Sequence, residues 1–84
     1  MWEKGKWDAY GGTVEYWAKV YDEPSEFGIN GGRISKLTLK RNGKIILNYD
    51  RGWDVKPQTK SAEVVLEALL QKYAVKTAKQ MTEE

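Results

Sequence analysis

Apolar and polar residues alternate with a period of two over most of residues 2–50, and a period near 3.6 replaces it after residue 59. The first period belongs to half-buried strands and the second to an amphipathic helix. Trp2 to Ala9 and Val14 to Tyr21 are two alternating runs joined through Gly11-Gly12. Paired glycines between such runs predict a tight hairpin, because both tolerate positive φ. A two-residue Gly-Gly loop sets Trp7 against Tyr16 and Ala9 against Val14 on a core side. It sets Lys6 against Trp17 and Trp2 against Tyr21 on the other. The same register places Asp8 opposite Glu15, a mildly repulsive pair.

Asp22-Glu23-Pro24-Ser25 ends the second run, since proline has no ladder N–H. A glycine-studded loop, Ser25 to Arg33, then leads into a third alternating run from Ile34 to Lys40 and, past Arg41-Asn42-Gly43, a fourth over Ile45 to Asp50. Asn-Gly by itself favours a two-residue type I′ turn, which here scatters the apolar residues over both faces. A three-residue loop with Gly43 left-handed pairs Leu39 with Ile45, Leu37 with Leu47 and Ser35 with Tyr49. It gathers Leu37, Leu39, Ile45, Leu47 and Tyr49 on one face and sends Ile46 to the other, so the bulged hairpin is preferred.

Residues 51–60 read as a loop, with Trp53 tucked at the domain edge and Pro57 barring further sheet. Ser61 or Thr59 caps a helix with Glu63 near its positive end. Ala62, Val65, Leu66, Leu69, Leu70 and Tyr73 form its apolar stripe, which runs out near Tyr73 or Ala74. The predicted fold is α+β: a four-stranded antiparallel sheet of two hairpins in a meander, with one C-terminal helix on one face. The expected domain spans residues 1–75, with residues 76–84 a frayed helix end or disordered tail.

Composition narrows the chemistry more than it defines it. The 84 residues allow one small core, helped by four tryptophans and five tyrosines. There is no cysteine and no histidine. That removes disulfides, thiolate metal sites and the commonest neutral-pH general base, and it fits a reducing, cytoplasmic setting. No apolar run approaches the ~18 residues of a membrane span, and Met1 to Lys6 lacks the apolar core of a signal peptide. No cofactor and no metal are expected.

The net charge of +2 hides an uneven distribution. Residues 33–60 carry eight Lys or Arg against two acids, whereas residues 1–32 carry three lysines against six acids. Such asymmetry bears on partners. On the sheet face away from the helix, Lys6, Trp17, Lys19, Tyr21, Lys36, Lys40 and Lys44 mix cations with rings. Cations neutralise phosphates and rings stack on bases, so this face is a candidate for nucleic acid. Lysines on an open sheet face also serve solubility and guard edges. The exposed indole of Trp17 is equally suited to anchoring a protein partner.

Two loops carry further candidates. Gly28, Asn30, Gly31, Gly32 and Arg33 offer backbone N–H groups and a cation that could cradle an anion, although punctuation is the commoner use of glycine. A strand follows and there is no Gly-Lys-Ser/Thr, so the nucleotide-binding signatures fail their context. Asp50-Arg51-Gly52-Trp53-Asp54 collects two carboxylates, a guanidinium and an indole. It reads as a loop locked by an Arg-carboxylate pair, because a hard-cation site needs more convergent ligands.

The runs Tyr16 to Asp22, Ser25 to Leu37 and Asn48 to Asp54 resemble an uncharacterised domain-of-unknown-function family over about residues 1–75. That family comprises short proteins from Gram-positive gut bacteria and their phages or mobile elements. The resemblance implies a setting and no activity. In element order the chain is also similar to the sheet-plus-helix DNA-binding domains of AP2 type and of some integrase N-termini. The function expected is a non-enzymatic binding module, a monomer or weak homodimer. It takes nucleic acid on the open basic and aromatic face or, alternatively, acts as a protein-protein interaction or inhibitor protein of phage or mobile-element origin.

Overall fold

The computed structural model describes residues 2–9 and 11–73. β1 (Trp2–Ala9), β2 (Gly12–Val20), β3 (Ile34–Arg41), β4 (Lys44–Asp50) and β5 (Trp53–Val55) form one antiparallel sheet in the order β1-β2-β3-β4-β5, followed by α1 (Lys60–Lys72). The meander and the C-terminal helix match the pattern in the sequence. The fifth strand does not. Asp50 N–H donates to the Gly52 carbonyl at 2.9 Å, and Arg51 takes positive φ (57°). This tight reversal brings Trp53 opposite Tyr49, where the two rings meet edge-on with centroids 5.0 Å apart. Within the stretch read as a loop, residues 51–60, Trp53–Val55 thus form a three-residue strand, ended before Pro57, where no ladder N–H is available.

Both hairpin registers differ from those expected, and each difference has a local cause. In the first, Ala9 pairs with Gly12, so every partner is displaced by two residues: Trp7 faces Val14, Lys6 faces Glu15 and Lys4 faces Trp17. The Asp8–Glu15 conflict is gone. Asp8 now accepts a hydrogen bond from the Thr13 hydroxyl at 3.0 Å, and Glu15 lies between Lys6 and Lys40. Gly5 faces Tyr16, and a Cβ at Gly5 would stand 2.9 Å from the tyrosine oxygen. The absent side chain is what lets the ring cross β1.

In the second hairpin Arg41 pairs with Lys44 across Asn42 (φ 54°) and Gly43 (φ 77°), a two-residue turn with both φ positive, as in type I′. The irregularity sits one pair further in. Lys40 faces Ile45 but Leu39 faces Leu47, leaving Ile46 as the extra residue. Adjacent residues at such a bulge lose strict alternation. Ile46 and Leu47 are accordingly both buried (5% and 0% exposed), and Ile45 is turned out at 44%. The bulge gathers the core, as the sequence required, with Ile46 in the place expected for Ile45.

The helix covers one face. Thr59 is its N-cap, its hydroxyl accepting from Ala62 N–H at 3.1 Å. Ala62, Val65 and Leu69 are fully buried, and Leu66, Leu70 and Tyr73 pack at the margin, as the stripe predicts. Opposite them lie Val14, Tyr16, Ala18, Leu37, Leu39 and Leu47. Arg41 reaches from the end of β3 to donate to the Ser61 hydroxyl at 2.8 Å, fixing the first turn of the helix against the sheet. The tail expected at residues 76–84 lies outside the described residues.

Candidate nucleic-acid interface

Because side chains alternate across a sheet, the register that builds the core also sets the rows on the open face. One row runs Lys4–Trp17–Thr38–Asn48, its neighbours being Lys6–Glu15–Lys40–Ile45 and Trp2–Lys19–Lys36–Asp50. Trp17 stands near the centre, half-buried, with the Lys40 ammonium 5.5 Å from its ring centroid. A cation over an indole face is attracted by the ring quadrupole, and its aliphatic stem shields the ring. Trp2, diagonal to Trp17, is 60% exposed.

Five lysines (Lys4, Lys6, Lys19, Lys36 and Lys40) share this face with Asp8, Glu15, Asp50 and Asp54. Lys19 and Lys36 face each other directly, a repulsive pair. Asp50 relieves it at 3.7 Å from the Lys36 ammonium, in an exposed ion pair of small energetic weight. Thr38 donates to the Asn48 side chain at 2.7 Å, and Asn48 donates to Asp54 at 3.0 Å. The row beside Trp17 therefore ends in a polar chain across β3, β4 and β5.

Not every residue expected here is here. Lys6, Trp17, Lys19, Lys36 and Lys40 share the face, but Lys6 neighbours Glu15 and not Trp17. Lys44 pairs with Arg41, whose guanidinium reaches the helix, so it lies one pleat step off the open face. Ile46 is in the core. Tyr21 lies just beyond β2, its main chain bound twice to Arg33: Tyr21 N–H to the Arg33 carbonyl at 2.8 Å and Arg33 Nε–H to the Tyr21 carbonyl at 2.7 Å. Lys4 and the diagonal placement of Trp2 were missed. The Asp8–Glu15 repulsion and the fit of Gly5 to Tyr16 both point to the register that brings Lys4 beside Trp17.

The glycine loop is built by its own hydrogen bonds. Gly28, Gly31 and Gly32 donate to the carbonyls of Ser25, Gly28 and Ile29 at 2.9, 2.9 and 3.0 Å. Those three amides, expected to be open to an anion, donate instead to carbonyls of the loop itself. Asn30 (φ 55°) and Gly31 (φ 69°) take the left-handed region, whereas Gly32 has φ −100°. A Cβ at Gly28 would overlap the Gly32 carbonyl oxygen, so close backbone approach is the reason for that glycine. Tyr49 anchors the loop by donating to the Phe27 carbonyl at 2.9 Å.

A second aromatic cluster lies at the far end of the helix. The Lys72 ammonium is 5.5–6.0 Å from the ring centroids of Trp7, Tyr16 and Tyr73, and 3.4 Å from the Tyr16 hydroxyl. That hydrogen bond, with Tyr73 alongside, raises the Lys72 pKa above its usual value, and burial raises that of the Tyr73 phenol. Carboxylates do not converge in the same way: among the described residues no group of three or more is placed to hold a metal ion. No helix among them is long and apolar enough to cross a membrane.

The fold and this face define a small α+β domain: a five-stranded antiparallel meander with one side closed by a helix and the other open. The chain belongs to the family described as a domain of unknown function (DUF7678), which matches residues 1–74. No curated protein and no solved structure matches it.

Proposed function

We propose that this domain is a non-enzymatic module that binds nucleic acid on its open sheet face, as a small cytoplasmic accessory protein of phage or mobile-element type. The observation that carries the reading is the setting of Trp17, with Lys4 across the strand on one side, Lys40 over its ring and Trp2 on the diagonal. Lysine ammonium groups neutralise phosphates, and indoles add sequence-tolerant stacking. The genomic setting is supported only by the resemblance of the loop and strand segments noted above.

A titration against single-stranded and duplex DNA and RNA at two salt concentrations tests the reading. Affinity falls steeply with salt, and a Lys4→Glu/Lys40→Glu double variant weakens binding to all of them, because each lysine that neutralises a phosphate releases counterions. A protein partner is the second reading, favoured by the exposed apolar surface of Trp2 and Ile45 flanking the lysines. Absence of nucleic-acid binding at low salt sinks the first reading and leaves Trp17 as an anchor for a protein surface.

A further inference from the structure

The open face has a hollow. A recess of about 290 Å³ adjoins Trp17, lined by Lys4, Gly5, Lys6, Glu15, Tyr16 and Trp17. Clefts for drug-sized ligands hold roughly 300–1,000 Å³, so this one suits a single flat heterocycle. Its walls are chemically distinct. Trp17 offers a ring and Lys4 and Lys6 are cations, while the carboxylate of Glu15 is an acceptor of hydrogen bonds. Glu15 has Lys6 and Lys40 as cross-strand neighbours, yet among the described residues its side chain makes no hydrogen bond and no ion pair.

We propose that the ligand is single-stranded and that the recess seats one of its guanines, stacked on Trp17, with the Glu15 carboxylate accepting from the base edge. Lys4 and Lys6 hold the flanking phosphates, and Trp2, exposed on the diagonal from Trp17, takes a neighbouring base. This inference rests on the nucleic-acid reading above and narrows it. In a duplex each base is already stacked on both faces and its Watson–Crick donors are paired, so neither the indole nor the carboxylate gains a partner. Unstacked bases offer both.

Guanine follows from the geometry of donors. Its N1–H and N2–H lie side by side and match the two oxygens of one carboxylate. Adenine and cytosine set an acceptor beside their exocyclic amine, which repels the second oxygen. Thymine and uracil offer one N–H between two carbonyls. The carboxylate therefore selects among bases, whereas Trp17 and the lysines bind any single strand.

Fluorescence anisotropy with short labelled oligonucleotides separates these roles. The probes are a thymine strand, the same strand with one central guanine, and the duplex of each. The guanine-bearing strand is expected to bind about tenfold more tightly than either duplex. Trp17→Ala lowers single-strand affinity about tenfold, and Trp17→Phe recovers part of it because a ring is restored. Glu15→Gln abolishes the preference for the guanine strand while leaving the thymine strand bound at least as well. Lys56→Glu, in the loop before α1, leaves the order of affinities unchanged. Duplex binding equal to single-strand binding, with Trp17→Ala neutral, overturns the proposal while the nucleic-acid reading survives. A guanine preference that is absent, or unaffected by Glu15→Gln, overturns the assignment of the base. No binding of any probe at low salt removes the underlying reading as well.

Discussion

The two faces of this sheet use the same kinds of residue to opposite ends. On the helix side Tyr16, Tyr49 and Trp7 lie against the core, and their polar atoms and ring faces find partners within the domain: Tyr49 holds the Phe27 carbonyl, and Lys72 caps Trp7 and Tyr16. On the open side no second layer covers the rings: Trp17 has Lys4 and Thr38 across the strands and the Lys40 ammonium near its face, and Trp2 is exposed. Aromatic residues contribute stability where a second layer covers them. Where none does, the same ring leaves apolar surface available to a partner. The contrast makes stability and binding separable in mutants.

The strongest test of that contrast sets Leu39→Ala against Trp17→Ala in urea unfolding. Leu39 is fully buried between helix and sheet, so its truncation costs about 3–5 kcal/mol, a large part of the stability of so short a chain. Trp17→Ala removes more atoms yet costs only about 1 kcal/mol, because the ring is covered by flexible stems and not by a packed layer. Equal losses would make Trp17 a core residue and deprive the open face of its anchor.

A finer comparison uses neighbours in sequence that the bulge sends to opposite sides. Ile46→Ala is expected to cost about 2–4 kcal/mol and Ile45→Ala no more than about 0.5 kcal/mol. The reverse order would restore the register in which Ile45 faces the core. Pairs adjacent in sequence are well suited to this measurement, since propensity and unfolded-state effects nearly cancel.

The smallest effect concerns the ring cluster around Lys72. Both the Lys72 ammonium and the Tyr73 phenol hold their protons more tightly in the folded chain than in the unfolded one. Their contribution is complete below the unfolded values and is lost as pH rises through the folded ones, so stability declines above about pH 10. Lys72→Met flattens that decline in urea unfolding followed into the alkaline range. An unchanged slope would show that the exposed ammonium contributes nothing measurable.

Local chemistry was sufficient for much of the architecture. The period of two marked the first four strands, and the apolar stripe marked α1, because each pattern is a property of its own segment. Thr59 was one of two caps the sequence allowed, and the main chain chose it by turning helical at Lys60. Trp17, Lys19, Lys36 and Lys40 were assigned to the open face correctly even though both registers were displaced by two residues in part or whole. A period of two cannot distinguish registers that differ by two: the faces survive and the neighbours change.

Tertiary structure decided what alternation leaves degenerate. The fit of Tyr16 over Gly5 brought Lys4 beside Trp17 and opened the recess at Glu15. The bulge at Ile46 exchanged one isoleucine for another and carried Lys44 off the face. Contact between Trp53 and Tyr49 turned a three-residue segment, too short to declare itself by pattern, into a fifth strand. Each of these depends on the shape of side chains that meet across strands. The hydrophobic pattern tells which side of a strand faces inward, and only packing determines what stands next to what.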